Sequence, residues 1–257
     1  KDFIQKVNNA RFKDLPTGYR EYSTKEVEKM AQKNNPLKEH QEAGSRPSCA
    51  LPYQLYVKES TNSEVVKLQM EASNEFFGNE AAGSPFTVYA PSGYQKQESN
   101  GYEKMCSWNY AVNAGEHVED SWRLHHFSNS HYHLELYGPN GFFRGYRGGT
   151  KDPAIEITLI YERITSDNKQ PTGNAILQLL NASDQKKNIN LYDEGYDMAD
   201  HNLTLTPGEK EAIVVPSNKN YGWYDLSLKV KGYPEFKRQY AGRVESGEHS
   251  YNDPQMS

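Results

Sequence analysis

The sequence predicts an all-β protein: two tandem copies of a β-sandwich domain with an immunoglobulin-like arrangement, preceded by a short helix-containing segment. An internal repeat covers most of the 257 residues, and the repeated segments alternate between apolar and polar side chains. Gly- and Pro-rich turn signals separate these segments, as is typical of the short strands of a sandwich. The 19 Tyr, 9 Phe and 3 Trp residues predict cores built largely from aromatic rings.

The repeat consists of matched segments that follow the same order in both halves of the chain. The matched pairs are residues 110–116 with 203–209, 131–136 with 223–228, and 142–148 with 236–242. Since a domain commonly has about 100 residues, the repeat divides the chain into three parts. These parts are a connecting segment at 1–46, a first copy at 47–150 and a second copy at 151–257.

Alternation within the matched segments predicts which side chains face each core. In the first copy, the side chains expected inside are Tyr132, Leu134 and Leu136, with His131, His133 and Glu135 outside. In the second copy, those expected inside are Tyr224, Leu226, Leu228 and Val230, with Trp223, Asp225, Ser227 and Lys229 outside. The strand that opens the second copy is expected to bury Ile155, Ile157, Leu159 and Tyr161.

The N-terminal segment has a different pattern. Ser23 and Glu26 have the spacing of a helix-capping box, and Pro36 prevents a helix from continuing past it. We therefore predict a short helix over residues 24–33 within an otherwise irregular segment.

Charge and hydropathy patterning exclude several classes of function. The net charge is -5 and the basic residues form no stripe, which argues against a nucleic-acid partner. No apolar run approaches the roughly 20 residues of a membrane span, and residues 1–9 lack the apolar core of a signal peptide. We expect a soluble chain whose export signal was removed or lay upstream. Cys49 and Cys106 could form one disulfide or remain as two free thiols.

Several motifs in order resemble the C-terminal part of bacterial phosphocholine-specific phospholipase C of the non-hemolytic type. The motifs are QEAGSRPSCALPY at 41–53, GSPF at 83–86, YGPNGFFR at 137–144, GWYDL at 222–226, GRVESG at 242–247 and Asp253-Pro254. The resemblance implies a bacterial hydrolase of lipid catabolism, secreted or periplasmic. Its N-terminal catalytic domain, similar to the alkaline phosphatase superfamily, would cleave the phosphodiester of phosphatidylcholine or sphingomyelin.

The same resemblance implies that this chain is the accessory region of such an enzyme, with the catalytic domain of the same polypeptide as its partner. Segment 1–46 would leave that domain, and residues 253–257 would end the protein. The chain shows no matched set of nucleophile and charge-stabilising groups, so we predict no catalytic residue, no metal, no cofactor and no activity of the isolated chain. The alternative is a module that binds a lipid surface or carbohydrate.

Histidines supply the first candidate binding residues. His131 and His133 share a strand face and could reach one metal ion if a third ligand converged on them. The equivalent residues in the second copy are Trp223 and Asp225, which favours a solvated strand face over a metal site. The carboxylates near residues 193–200 do not have the spacing of an EF-hand loop.

Two arginines and one phenylalanine complete the candidates. Arg144 and Arg238 are equivalent in the repeat and could bind a lipid phosphate, although packing beside aromatic rings is the favoured role. Phe143 follows a tight turn and could contact a membrane interface. Its neighbour Phe142 aligns with Phe236, which indicates a core position shared by the two copies.

Overall fold

Antiparallel β-strands make up most of the regular structure, which confirms the predicted all-β fold. The structure is a computed structural model, and it describes residues 22–30, 44–91, 93–96, 101–164 and 167–256. Residues 1–42 and residues 43–257 are separate structural units.

The N-terminal unit contains helix α1 (Thr24–Met30). Its first turn is closed by the predicted capping box: a Glu26 carboxylate oxygen accepts hydrogen bonds from the Ser23 backbone N–H at 2.8 Å and from the Ser23 hydroxyl at 2.9 Å. The start of the predicted helix is thereby confirmed. Residues 31–33 of that prediction, and most of segment 1–46, lie outside the described residues.

Two series of seven strands form the larger unit. The first series is β2 (Leu55–Thr61), β3 (Val65–Ala72), β4 (Ser84–Ala90), β5 (Cys106–Val112), β6 (Glu116–Arg123), β7 (His131–Tyr137) and β8 (Phe143–Gly149). The second series is β9 (Ile155–Ile164), β10 (Asp167–Asn181), β11 (Lys187–Asp193), β12 (His201–Leu205), β13 (Lys210–Val215), β14 (Trp223–Val230) and β15 (Lys237–Arg243). A short pair near the ends of the unit is β1 (Pro47–Ser48) with β16 (Ser250–Tyr251).

The two series have the same strand order. Each contains a three-stranded sheet, β2-β3-β6 in the first and β9-β10-β13 in the second. The remaining strands form one sheet of eight, β12-β11-β14-β15-β8-β7-β4-β5, in which β15 pairs with β8. The second sheets of the two halves are therefore continuous through this pair.

Each half has its own hydrophobic core between its three-stranded sheet and its part of the eight-stranded sheet. The side chains that alternation placed inside are all buried, namely Tyr132, Leu134, Leu136, Ile155, Ile157, Leu159, Tyr161, Tyr224, Leu226, Leu228 and Val230. Phe142 and Phe236 are buried as well, as their alignment predicted.

Two of the side chains predicted to lie outside are buried instead. Trp223 donates its indole N–H to the carbonyl of Tyr251 at 3.1 Å and packs its ring on Gly141, so the C-terminal segment and a turn cover it. Ser227 is buried at a central position of the sheet, between its register partners Tyr192 on β11 and Gln239 on β15. Both errors arise from neighbours that a single-strand pattern does not include.

We expect Leu226→Ala to lower the free energy of unfolding by about 2–5 kcal/mol, because it truncates a buried leucine and leaves a cavity. Chemical denaturation measures this change, with Glu211→Ala on the exposed face of β13 as the matched control, expected within about 0.5 kcal/mol of the parent. A neutral effect of Leu226→Ala would contradict the assigned face of β14.

Candidate functional site

Arg144 and Arg238 lie where β8 pairs with β15, and each residue is only 1% exposed. In this register Arg144 is opposite Tyr240 and Arg238 is opposite Tyr146. The two arginines are therefore placed symmetrically about the strand pair that joins the halves.

The guanidinium of Arg144 takes its acceptors from both halves. Nη1 donates to the carbonyls of Phe143 at 2.7 Å and Ala241 at 2.9 Å, and Nη2 donates to the Tyr224 hydroxyl at 3.1 Å. Its central carbon lies 4.1 Å from the centre of the Phe142 ring, within cation–π range. Arg144 is thus held by neutral groups.

Arg238 repeats this arrangement in the opposite direction. Nη1 donates to the carbonyls of Lys237 at 3.0 Å and Arg147 at 2.5 Å, and Nη2 donates to the Tyr132 hydroxyl at 2.6 Å. Its central carbon lies 4.0 Å from the centre of the Phe236 ring. Each arginine therefore contacts the equivalent tyrosine and the equivalent phenylalanine, and reaches across into the other half.

Only Arg238 also meets carboxylates. Its Nε and Nη2 each donate to a Glu59 oxygen at 3.0 Å, and Asp152 lies 3.4 Å from Nη2 while accepting from the Tyr132 hydroxyl at 2.5 Å. Burial alone would lower the pKa of Arg238, but Glu59, Tyr132 and Asp152 together raise it. No carboxylate of the described residues forms an ion pair with Arg144.

This placement bears on the proposed phosphate-binding role of the two arginines. Both side chains are interior and donate to protein acceptors, so neither presents a guanidinium to solvent. We call this arrangement, consisting of Arg144, Arg238 and their acceptors, the arginine junction.

Replacing the two arginines should have unequal costs. Arg238→Met leaves Glu59 and Asp152 without their cation in a buried place, and we expect a loss of about 3–5 kcal/mol in the free energy of unfolding. Arg144→Met leaves only neutral acceptors, so its loss in chemical denaturation at pH 7 should be smaller.

A double variant tests the part that Glu59 plays, because its carboxylate loses both hydrogen bonds from the guanidinium in Arg238→Met. Adding Glu59→Gln to Arg238→Met should recover part of the loss at pH 7. Equal losses in the two arginine variants would contradict the proposed electrostatic difference.

The opposite face of the same sheet carries three aromatic side chains, of which Tyr137 is exposed and Tyr89 and Phe143 are half-buried. Tyr89 on β4, Tyr137 on β7 and Phe143 on β8 are neighbours across the strands. The Tyr89 and Tyr137 ring centres are 5.6 Å apart with an interplanar angle of 78°, and those of Tyr137 and Phe143 are 5.0 Å apart. We call these three residues, with Glu135, the outer aromatic face.

Glu135 is the acidic member of this face. One carboxylate oxygen accepts a hydrogen bond from the Tyr137 hydroxyl at 2.9 Å, and the other lies 2.9 Å from Nε2 of His133. Burial and the nearby Arg147 lower the pKa of His133, against the opposing effect of Glu135. The carboxylate is thus held in place by two neighbours.

A groove of about 620 Å³ runs along this face. Its lining residues are Thr87, Tyr89, Pro91, Met105, Glu135 and Tyr137. Tyr137 is 42% exposed and Met105 is 61% exposed, so the apolar lining is accessible. Phe143 lies beside the groove with its ring over Gly145, where a Cβ atom would come within 3.2 Å of the ring.

The sequence-predicted binding residues are therefore separated by the sheet. Phe143 and His133 belong to or adjoin the outer aromatic face, whereas Arg144 and Arg238 lie in the arginine junction beneath it. His131 packs its ring against Gly149 at the far end of β7. Sequence reasoning did not select Tyr89, Tyr137 or Met105; the outward positions of the two tyrosines in alternating strands were the available signal.

Other residues considered from the sequence have local structural partners. The Asp193 carboxylate accepts backbone N–H groups of Tyr196 and Met198 at 2.9 and 2.6 Å, which organises the acidic loop after β11. Cys49 and Cys106 are free thiols, and burial raises the pKa of Cys106. Within the described ranges, no three His, Cys, Asp or Glu side chains are grouped as a metal site, and no helix is long and apolar enough to cross a membrane.

Comparison with known proteins gives a consistent family assignment. The model of the family "Bacterial phospholipase C, C-terminal domain" matches residues 47–149 and 155–243. Non-hemolytic phospholipase C of Pseudomonas aeruginosa is 29% identical over 217 residues, which are 84% of this chain and 29% of that protein. Non-hemolytic phospholipase C of Burkholderia pseudomallei is 30% identical over 214 residues, covering 83% of this chain and 28% of that protein.

Hemolytic phospholipase C of Pseudomonas aeruginosa is also similar, with 26% identity over 229 residues that cover 83% of this chain and 30% of that protein. The chain thus spans less than a third of the length of each of these relatives. Since the family model covers well over half of the chain, this protein belongs to the family of bacterial phospholipase C C-terminal domains.

Proposed function

We propose that this chain is the non-catalytic accessory region of a secreted bacterial phospholipase C, and that it consists of two copies of one domain at residues 47–150 and 151–257. The observation that carries the proposal is the family match, which falls on two successive segments close to these bounds. The identical strand orders of the two halves support the duplication.

The partner in this proposal is a catalytic domain of the same polypeptide, which cleaves the phosphodiester of phosphatidylcholine or sphingomyelin. The accessory region supports it by packing against it or shaping access of substrate. The arginine junction favours such a structural role. Arg144 and Arg238 are buried at the strand pair that makes one sheet continuous through both halves, and their guanidinium groups donate to groups inside the protein.

A binding module for a lipid surface or carbohydrate is the alternative function. The outer aromatic face is the observation that favours it, since its groove and the exposed Tyr137 and Met105 side chains provide a surface for contact with a ligand.

The isolated 257-residue chain should release no phosphocholine from phosphatidylcholine or sphingomyelin, with or without added zinc or calcium. Phosphodiester hydrolysis needs a positioned nucleophile or activated water together with groups that stabilise the developing charge. The full-length parent enzyme, assayed in parallel, should be active. Turnover that stays with the chain through purification and disappears in His131→Ala or His133→Ala would overturn the assignment as non-catalytic.

Anionic liposomes should bind the chain weakly and with little dependence on salt. The net charge is -5, and electrostatic attraction to such a surface requires clustered Lys or Arg side chains. Co-sedimentation at low and high salt measures this. Strong binding at low salt that is lost at high salt would instead support the lipid-surface alternative.

A further inference from the structure

A cavity of about 510 Å³ lies between the two halves, on the arginine junction's side of the eight-stranded sheet. Strands β2 and β9 are edge strands of the two three-stranded sheets and lie side by side. At one end the rings of Tyr56 and Tyr161 fill the space between these strands, with their centres 5.7 Å apart. At the other end the space is empty of side chains and is lined by residues 58–63 and 152–158 together with Arg238. We call this space the interhalf cavity.

The internal repeat explains why the first half has space at this place. The sequence KLQM at 67–70 matches ILQL at 176–179, so the central strands β3 and β10 are equivalent. Their registers with β2 and β9 give two equivalent pairs of inward-facing residues, namely Glu59 with Leu159 and Thr61 with Tyr161. The first half therefore has a carboxylate and a small hydroxyl side chain where the second half has a leucine and a tyrosine ring.

Tyr161 fills the equivalent space in the second half. It is buried, its ring stacks on Phe76 with the ring centres 6.1 Å apart, and its hydroxyl donates to the carbonyl of Arg243 at 3.2 Å. The Thr61 side chain is too short to make such contacts, and its hydroxyl donates instead to the carboxylate of Glu59. The interhalf cavity is thus the place that the chain's own ring occupies in the second half.

Charges of both signs line the cavity and nearly balance. The Glu59 and Asp152 side chains are only 9% and 11% exposed, and both form ion pairs with the buried Arg238. The exposed Lys58 and Glu156 add one charge of each sign, so two cations and three carboxylates leave a formal charge of -1. The guanidinium of Arg238 already donates to protein acceptors. This lining favours an uncharged polar ligand over an anion.

Hydroxyl and amide side chains surround the charged groups. They are Ser60, Thr61, Asn62, Ser63, Thr150 and Thr158. A hydroxyl group both donates and accepts, whereas the carboxylates of Glu59 and Asp152 accept. As an edge strand, β2 also presents backbone donors and acceptors on its unpaired side. A ligand with several hydroxyl groups matches this mixture, and the volume of the cavity lies within the range of small-molecule sites.

We propose that the interhalf cavity binds an uncharged polyhydroxylated ring, either a free monosaccharide or the terminal residue of a glycan. The ring takes the place that Tyr161 occupies in the second half, and its hydroxyl groups exchange hydrogen bonds with the lining side chains. This proposal gives the carbohydrate alternative a site separate from the outer aromatic face. Its test uses no lipid substrate, so its outcome is independent of the accessory role.

The first test is a nuclear magnetic resonance titration of the 257-residue chain with D-glucose, D-galactose, D-mannose and N-acetyl-D-glucosamine. We expect at least one sugar to bind in the millimolar range and to shift the amide resonances of residues 58–63 and 149–154. p-Cresol, which has the ring and hydroxyl of a tyrosine side chain, is titrated in parallel and should bind more weakly. Binding of none of the sugars, or tighter binding of p-cresol at the same residues, would overturn the proposal.

Substitutions locate the site. Thr61→Tyr installs the residue of the second half and should weaken sugar binding by at least about 10-fold, whereas Thr61→Ser keeps the hydroxyl and the space and should stay within about 2-fold. Thr150→Trp blocks the cavity from an exposed position, so it tests the site even if Thr61→Tyr perturbs folding. Thr204→Trp, at an exposed position of β12, is the matched control and should leave the affinity unchanged. Retained affinity in both blocking variants, or an equal loss in Thr204→Trp, would contradict the assigned site.

Methyl glycosides of the sugar that binds distinguish the two sources of the ring. The terminal residue of a glycan is joined to its neighbour through the anomeric oxygen, and the methyl group stands for that neighbour. Binding of the α- or β-methyl glycoside as tight as that of the free sugar would assign the end of a glycan, and loss of binding in both would assign a free monosaccharide. Glycoside binding that Thr61→Tyr and Thr150→Trp leave unchanged would contradict the cavity as the site.

Discussion

The antiparallel pairing of β8 with β15 is the constraint on which the rest of the larger unit depends. An unpaired edge strand exposes backbone donors and acceptors, and this pairing satisfies one such edge from each half. It also brings Arg144 and Arg238 into the interior, where each guanidinium donates to a backbone carbonyl and a tyrosine hydroxyl of the opposite half. Neither arginine could be buried with these acceptors if the halves were separated, so the pairing and the buried charges stabilise one another.

The same strands create the candidate binding face by alternation. Arg144 points into the junction, so its neighbour Phe143 points to the opposite side of the sheet, where it meets Tyr137. On β7, the buried Leu134 and Leu136 likewise leave Glu135 and Tyr137 outside. Strands β4, β7 and β8 each pair with a neighbour on both sides, and this pairing sets the spacing of the outer side chains.

The sequence predicted correctly those features that depend on the residue pattern of a single strand or helix. Alternation correctly assigned Leu134 and Leu226 to the cores, and the Ser23 and Glu26 spacing correctly began the helix. Features that depend on cross-strand register were not predictable in this way. The continuous eight-stranded sheet, the covering of Trp223 and the meeting of Tyr89 with Glu135 each join segments distant in sequence, and their register follows from tertiary packing.

The two halves of the chain allow a comparison within one molecule. The guanidinium and ring positions at the arginine junction hold the same residue type in both halves, whereas the carboxylates of Glu59 and Asp152 contact Arg238 alone. The matched pairs are Arg144 and Arg238, Tyr132 and Tyr224, Tyr146 and Tyr240, and Phe142 and Phe236. Positions on the outer face differ, with Glu135 in place of Ser227 and Tyr137 in place of Lys229. Buried aromatic and guanidinium groups must fit one another's shape and hydrogen bonds, so a change at one requires changes at several. Outer side chains contact solvent and are not constrained in this way. The residues on this face can therefore differ between the two halves, while the buried arginines and aromatic rings beneath them remain the same.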